Sequence, residues 1–135
     1  MLKFILYIIS LLKDPKTYKW AGVGLLALAG DYGLYNYLLD IVGMDLAKLC
    51  ATFVGVNISF NLNRIWTFKS NGTFFEDLKR YMALYLAAII VNVSVNNFAL
   101  RILEDIELAY IAALFVYVTI GHFGQRLWVF KNRTN

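Results

Sequence analysis

Asn63-Arg64-Ile65-Trp66-Thr67-Phe68-Lys69 recurs 62 residues later as Gln125-Arg126-Leu127-Trp128-Val129-Phe130-Lys131. In both copies an amide residue precedes the pattern Arg-x-Trp-x-Phe-Lys, and we call the whole seven-residue stretch the closing motif. Upstream, Phe53-Val54 matches Phe115-Val116 in the same register. Each copy follows a pair of apolar segments, so the sequence is built from two similar halves.

The apolar segments are long enough to cross a bilayer. Of the 135 residues, 60% are hydrophobic and only 16% are charged, whereas a soluble domain has roughly 25% charged residues. A spanning helix needs about 20 mostly apolar residues, and four segments qualify: Trp20–Leu39, Leu46–Leu62, Tyr81–Leu100 and Leu108–Leu127. The sequence therefore predicts an all-α, polytopic membrane protein with four transmembrane helices. Because each half contains two spans, the halves are predicted to be parallel two-helix repeats.

Basic residues predict the orientation, since Lys and Arg accumulate on the cytoplasmic side of membrane proteins. Eleven lie in the N-terminal segment, the middle connection and the C-terminal end: Lys3, Lys13, Lys16, Lys19, Arg64, Lys69, Lys79, Arg80, Arg126, Lys131 and Arg133. Only Lys48 and Arg101 lie near the other two connections, which are acidic. Both termini are thus predicted to be cytoplasmic. The net charge of +4 needs no nucleic-acid partner, because the basic residues flank apolar segments.

The N-terminal segment, residues 1–17, is interpreted separately from the membrane domain, residues 18–135. Its apolar run Phe4–Leu12 is too short to span a bilayer and has lysines on both sides. A signal peptide is one reading, but no small-x-small cleavage site follows. An amphipathic helix lying on the cytoplasmic interface is the preferred reading.

The closing motif has two interpretations. As an anchor, its aromatic residues lie at the headgroup level and its basic residues extend to lipid phosphates. As a substrate site, Arg64 and Arg126 offer forked donors to a lipid phosphate, and Lys69 and Lys131 add charge. The second interpretation also gives roles to the preceding amides and to the tryptophans, which could stack on a sugar or line an isoprenoid path; these residues are Asn63, Gln125, Trp66 and Trp128.

Polar residues also form stripes within three predicted spans. Helical spacing places on shared faces three sets: Asn57, Asn61 and Arg64; Asn92 and Asn96, below Tyr85; and Thr119, His122 and Arg126. A polar stripe points away from lipid, because exposure to hydrocarbon is costly. Interhelical hydrogen bonding and a polar groove both remain open as explanations. We expect the groove.

Asp31 is an acidic residue within a predicted span, which makes it a functional candidate. It could be a structural partner of an arginine or asparagine, a proton-coupling group, or a hydrogen-bonding partner of sugar hydroxyls. His122 is read either as an interior hydrogen-bonded residue or as a proton carrier. With one Cys (Cys50) and one His, no Cys/His zinc site is expected. No paired nucleophile and base is visible, so we expect no enzyme activity, no catalytic residue and no cofactor.

At Asn61–Phe68 and again at Phe123–Phe130, the sequence resembles the GtrA-like family of four-span membrane proteins. The glycines that precede Asp31, Gly22 and Gly24, fit the same pattern. The resemblance extends from about Tyr18 to Arg133. Gln125 stands where asparagine is usual in that family.

The resemblance implies a function in cell-surface polysaccharide modification at the bacterial cytoplasmic (inner) membrane. It implies translocation of a polyprenyl-phosphate-linked monosaccharide, beside a membrane glycosyltransferase that makes this lipid. A homo-oligomer, most simply a dimer, is expected because four helices make a thin wall for a polar groove. Two alternatives stay open: a non-transporting scaffold for the glycosyltransferase, and a proton-coupled small-multidrug-type exporter that uses Asp31.

Overall fold

The computed structural model describes residue 10 and residues 13–131. Within these residues the chain is helical and contains no strand: α1 is Pro15–Val42, α2 is Met44–Leu62, α3 is Phe74–Leu103 and α4 is Ile106–Gly124. Helices α2 and α4 each continue into a π-helical turn, π1 at Asn63–Thr67 and π2 at Gln125–Val129. The predicted all-α class is confirmed. The predicted interfacial helix at residues 1–17 falls largely outside the described residues.

Side-chain caps determine where the helices begin. The Asp14 carboxylate accepts a hydrogen bond from the Lys16 N–H (2.8 Å), and Pro15 occupies the first turn of α1. Thr73 caps α3 and Asp105 caps α4 in the same way. Between α1 and α2 the chain turns at Gly43, whose φ of 84° is accessible to glycine at little cost. Polar and glycine residues at these positions therefore set the helix boundaries.

Three of the predicted spans are shorter than the observed helices, and the fourth, Leu108–Leu127, runs from α4 into π2. Helix α3 begins at Phe74, seven residues before the predicted start, so Lys79 and Arg80 lie in its first two turns and not in a loop. Arg64 lies in π1. The connection between π1 and α3 is consequently only residues 68–73. It ends at Thr73, whose hydroxyl accepts a hydrogen bond from the Glu76 N–H in the first turn of α3.

The chain forms two compact units that meet in sequence at Lys69 and Ser70. In the first unit α1 packs against α2 and π1, and in the second α3 packs against α4 and π2. We call these units the first and second hairpins. Small residues fill both interiors: Ala27, Ala47, Ala51 and Gly55 in the first hairpin, and Ala88, Ala109, Ala113 and Gly121 in the second. Small residues let helix backbones approach closely, as is common in membrane helices.

Two stretches, Phe74–Leu103 and Ile106–Val129, are long and apolar enough to cross a membrane by length and composition. Only 17% and 22% of their most apolar windows are buried, which distinguishes them from core helices of soluble proteins. Helices α1 and α2 have 28 and 19 residues. They are less apolar, because glycine, tyrosine and asparagine residues and the charged Asp31 and Lys48 interrupt them.

Gly124 is expected to be intolerant of a side chain. An added Cβ would overlap the side chain of the buried Leu84, and overpacking of this kind costs about 1–3 kcal/mol. Gly124→Ala should therefore lower the midpoint of unfolding, measured by circular dichroism of purified protein in detergent. Gly33→Ala is the matched control, since no atom lies within 4 Å of its added Cβ. Equal midpoints for the two variants would contradict the close approach of α3 and α4.

Candidate functional site

Both copies of the closing motif form a π-helical turn. The Phe68 N–H donates to the Asn63 carbonyl at 2.9 Å, and the Phe130 N–H donates to the Gln125 carbonyl at 2.9 Å. Each bond joins residues five apart, which defines the π geometry. Such turns are rare and are often found at functional sites. The repeated sequence is therefore also a repeated backbone conformation.

The two turns also bury the same positions. The first, fifth and sixth residues of each motif are buried: Asn63, Thr67 and Phe68 in the first hairpin, and Gln125, Val129 and Phe130 in the second. The fourth residue is at the surface, since Trp66 and Trp128 are each 47% exposed. Each turn thus directs one set of side chains into its hairpin and a tryptophan outward.

The basic residues of the motif lie at the surface end of each hairpin. Arg64 and Arg126 are half-buried, whereas Lys69 and Lys131 are exposed. Lys69, two residues after the end of π1, lies in the left-handed region, with φ 50°. Together with the exposed tryptophans, these side chains form a cationic, amphipathic surface at each turn.

A further cation reaches each turn from the first helix of the same hairpin. The Lys19 ammonium lies 5.2 Å from the centre of the Trp66 ring, within the range of a cation–π interaction. Arg80 donates from Nη1 to the Trp128 carbonyl at 3.3 Å. In the sequence both residues stand out only as basic residues that flank predicted spans. Their separation of 61 residues, close to the 62-residue repeat, was the signal that could have identified them.

The two amides that precede the arginines are interior. Asn63 and Gln125 are 1% and 0% exposed, so a ligand reaches them only if the turn opens. Gln125 Nε2 donates to the Tyr85 hydroxyl at 2.7 Å, and Asn63 Nδ2 lies 3.4 Å from the Ser59 hydroxyl. Their carbonyl oxygens have no hydrogen-bond partner among residues 13–131. In this geometry both amides contact side chains inside their own hairpins and stabilise the turn.

The predicted polar stripes divide into satisfied and unsatisfied residues. Asn57, Asn61 and Thr119 each donate to the carbonyl four residues earlier in their own helix, at 2.8, 2.9 and 2.7 Å. His122 is buried with its ring 5.1 Å from the Phe123 ring. Asn92 and Asn96, by contrast, have no side-chain hydrogen bond within the described part of the chain. Within these stripes, the amides that form no side-chain hydrogen bond are therefore the two of α3.

Asp31 is paired with Lys48. The Lys48 ammonium lies 3.0 and 3.1 Å from the two carboxylate oxygens, and it also lies 5.9 Å from the centre of the Tyr35 ring. The Asp31 side chain is 19% exposed and that of Lys48 is 59% exposed. The partner of Asp31 is thus a lysine of α2, which the sequence analysis had placed near an outward connection. The positions 62 residues later are Val93 and Tyr110, so the pair belongs to the first hairpin alone.

Asp77 was missed by the sequence analysis. It is 1% exposed and accepts a hydrogen bond from the Ser70 hydroxyl at 2.8 Å. The same hydroxyl accepts from the Gly72 N–H at 3.2 Å, which ties the connection to α3. The spacing of Asp77, Tyr81 and Tyr85 at i, i+4 and i+8 could have placed Asp77 on the buried face. Among residues 13–131, no three His, Cys, Asp or Glu side chains cluster as metal ligands would.

The fold and the two turns define a class: small, all-helical, polytopic membrane proteins built from two similar hairpins that end in cationic turns. The chain belongs to the GtrA/DPMS family, whose transmembrane-domain model matches residues 19–130. This range includes the four described helices from the second turn of α1 onward and both π turns. The family resemblance of the closing motifs is thereby confirmed. A search of curated proteins found no significant match.

The Asp31–Lys48 pair is expected to stabilise the first hairpin. Asp31→Asn and Lys48→Met should each lower stability, because each leaves one polar group without its partner. The double variant should be less destabilised than the sum, with a coupling on the order of 1 kcal/mol. Unfolding in mixed detergent micelles measures this, and Lys79→Met, which removes an exposed lysine of α3, is the control. A coupling near zero would show that the pair contributes no stability.

Proposed function

We propose that the protein translocates a polyprenyl-phosphate-linked monosaccharide across the membrane. Membership of the GtrA/DPMS family supports a membrane function related to glycosyl lipids. The observation that carries the finer proposal is the duplicated cationic turn. Each hairpin ends with a half-buried arginine, an exposed lysine and an exposed tryptophan on the same π-helical backbone.

The chemistry of the turn suits a lipid phosphate. The guanidinium groups of Arg64 and Arg126 can each donate two parallel hydrogen bonds to phosphate oxygens. Lys69 and Lys131 add positive charge without fixed geometry. A bare phosphate would pay a very large penalty in a hydrocarbon core about 30 Å thick. Capture by arginine at the membrane surface would be the first step that lowers this penalty.

Trp66 and Trp128 suit the remainder of the same lipid. Both rings are partly exposed beside the arginines, where an indole can contact an isoprenoid chain and keep its N–H near the headgroups. The Lys19 ammonium, 5.2 Å from the centre of the Trp66 ring, stabilises the position of this ring. The turn therefore offers adjacent surfaces to the charged and the apolar parts of one amphipathic substrate.

In this proposal both π turns and both chain ends face the cytoplasm of a bacterium, as the excess of basic residues there favours. The protein would take its substrate from a membrane glycosyltransferase and would act as a dimer. The Asp31–Lys48 ion pair weighs against a proton-coupled cation exporter, because the ammonium already occupies the carboxylate that a cationic substrate would need.

The direct test is translocation in liposomes. Purified protein is reconstituted with a short-chain isoprenyl phosphate that carries glucose, mannose or arabinose, and the sugar exposed on the opposite leaflet is measured. Arg64→Ala and Arg126→Ala are each expected to lower the rate about tenfold or more, the effect of losing charge-assisted hydrogen bonds of about 1.5–3 kcal/mol. Arg101→Ala, an exposed arginine in the last turn of α3, should leave the rate unchanged.

The scaffold alternative predicts a different pattern. Wild-type protein would not accelerate translocation, but a co-expressed membrane glycosyltransferase would still co-purify with it and with both arginine variants. That combination would exclude transport and leave the closing motifs as membrane anchors. Loss of translocation with the glycosyltransferase still bound would support transport.

A further inference from the structure

The second hairpin has a cavity of about 280 Å³ between α3 and α4 that is open to the surface of the hairpin. It is lined by Ile89 and Asn92 from α3 and by Tyr110, Leu114 and Tyr117 from α4. No charged side chain lines it. Three of the five lining residues carry a hydrogen-bonding group: Asn92 has an amide, and Tyr110 and Tyr117 each have a hydroxyl on an aromatic ring. Such a lining is typical of sites for small neutral polar molecules.

The cavity lies at the middle of the apolar stretch. Asn92 is eleven residues before the end of α3, and Tyr117 is eleven residues after the start of α4. At about 1.5 Å per residue, each is roughly 16 Å from the connection at residues 104–105. That is about half the thickness of a hydrocarbon core. Asn92 and Tyr117 at this depth have no bulk water to bind, whereas Tyr110, four residues after the start of α4, lies nearer the connection.

The polar groups of the cavity lack protein partners. Within residues 13–131, neither the Asn92 amide nor the hydroxyls of Tyr110 and Tyr117 form a hydrogen bond. Nearby, Ser94 and Thr119 both donate to their own helix, at 2.9 and 2.7 Å. An unsatisfied amide or hydroxyl in an apolar medium costs several kcal/mol. Asn92 and Tyr117 are half-buried and lie at mid-membrane depth, so these two groups indicate an occupant that brings its own donors and acceptors. Tyr110 is 63% exposed and lies near the connection, at the edge of the cavity.

Aromatic side chains connect this cavity to π2. The Tyr117 ring lies 6.0 Å from the Tyr85 ring, and the Tyr85 hydroxyl accepts the hydrogen bond from Gln125. Asn92 is seven residues beyond Tyr85 on α3, a rise of roughly 10 Å. The cavity therefore lies about two helical turns further into the membrane than the turn that carries Arg126.

We propose that this cavity binds the monosaccharide of the lipid-linked substrate midway through translocation. A sugar combines an apolar C–H face, which packs on aromatic rings, with a rim of hydroxyls. Asn92 can both donate to and accept from such hydroxyls, and the tyrosine hydroxyls can do the same. The sugar enters first, and the phosphate follows from Arg126. This inference rests on the proposed function and assigns phosphate and sugar to separate sites.

The first hairpin provides a useful contrast. Its larger groove is lined by Leu34, Leu49, Cys50, Phe53 and Val54 and offers almost no polar surface. A groove of this kind has no means to recognise sugar hydroxyls. The contrast between these two grooves therefore predicts that sugar recognition depends on the cavity of the second hairpin.

The test measures binding instead of transport. Protein in lipid nanodiscs is titrated with a short-chain isoprenyl phosphate, and separately with the same lipid carrying glucose, mannose or arabinose. Wild-type protein should bind at least one sugar-bearing probe more tightly than the sugar-free probe. Asn92→Leu and Tyr117→Phe should each reduce this preference by up to about tenfold, the value of one lost hydrogen bond. Affinity for the sugar-free probe should not change.

Matched controls are Asn36→Leu and Tyr32→Phe. Asn36 already donates to its own helix, and Tyr32 is exposed on α1, so both variants should keep the sugar preference. Arg126→Ala should weaken binding of both kinds of probe equally. Tyr117→Phe removes a single oxygen, and retention of a monodisperse protein on gel filtration separates loss of recognition from loss of fold.

The outcomes separate this inference from the proposed function. If liposome translocation fails but the sugar preference is present and is lost in Asn92→Leu and Tyr117→Phe, the sugar site stands without a flippase. If translocation succeeds and both variants keep the preference, the sugar site is refuted alone. Equal affinity of wild-type protein for sugar-free and all sugar-bearing probes would also refute it and would assign the cavity to a lipid chain.

Discussion

A polar group at membrane depth must have a partner, because hydrocarbon supplies none. The described structure meets this constraint in three ways. Asn57, Asn61 and Thr119 donate to carbonyls of their own helices. Asp31 is neutralised by a lysine from the facing helix, and Gln125 reaches a tyrosine hydroxyl across its hairpin. The positions at which the constraint is not met are consequently the most informative about ligands.

The two hairpins share a turn and differ in their interiors. Both keep the π geometry, the buried sixth residue and the exposed tryptophan. Above the turn they diverge: Phe60 corresponds to His122, and the Asp31–Lys48 ion pair corresponds to Val93 and Tyr110. Under the proposed function, this difference assigns headgroup capture to both turns and sugar binding to the cavity of the second hairpin. It also explains why Gln125 can differ from Asn63, since the longer amide spans the distance to Tyr85.

Separate recognition of phosphate and sugar has a physical advantage for a lipid carrier. Charge-assisted bonds from arginine are strong but would hold the headgroup at the surface if they were the only contacts. Neutral hydrogen bonds and aromatic packing at mid-membrane can replace the water molecules on the sugar hydroxyls, and they bind the sugar weakly enough for it to leave. Such an arrangement lowers the barrier and still permits release on the other side. The uncharged lining of the cavity has the character that this task requires.

Length, periodicity and capping residues in the sequence determined the helical class, the membrane location and the repeated hairpin, because these depend on local patterns that a chain carries wherever it folds. The repeat also located both cationic turns. Only the tertiary structure decided which polar residues are satisfied. The burial of Asn63 and Gln125, the choice of Lys48 as the partner of Asp31, the buried Asp77 and the cavity at Asn92 all depend on which side chains a neighbouring helix brings within about 3 Å. The spacing of residues along one helix states which face they share, but it does not state what lies opposite that face.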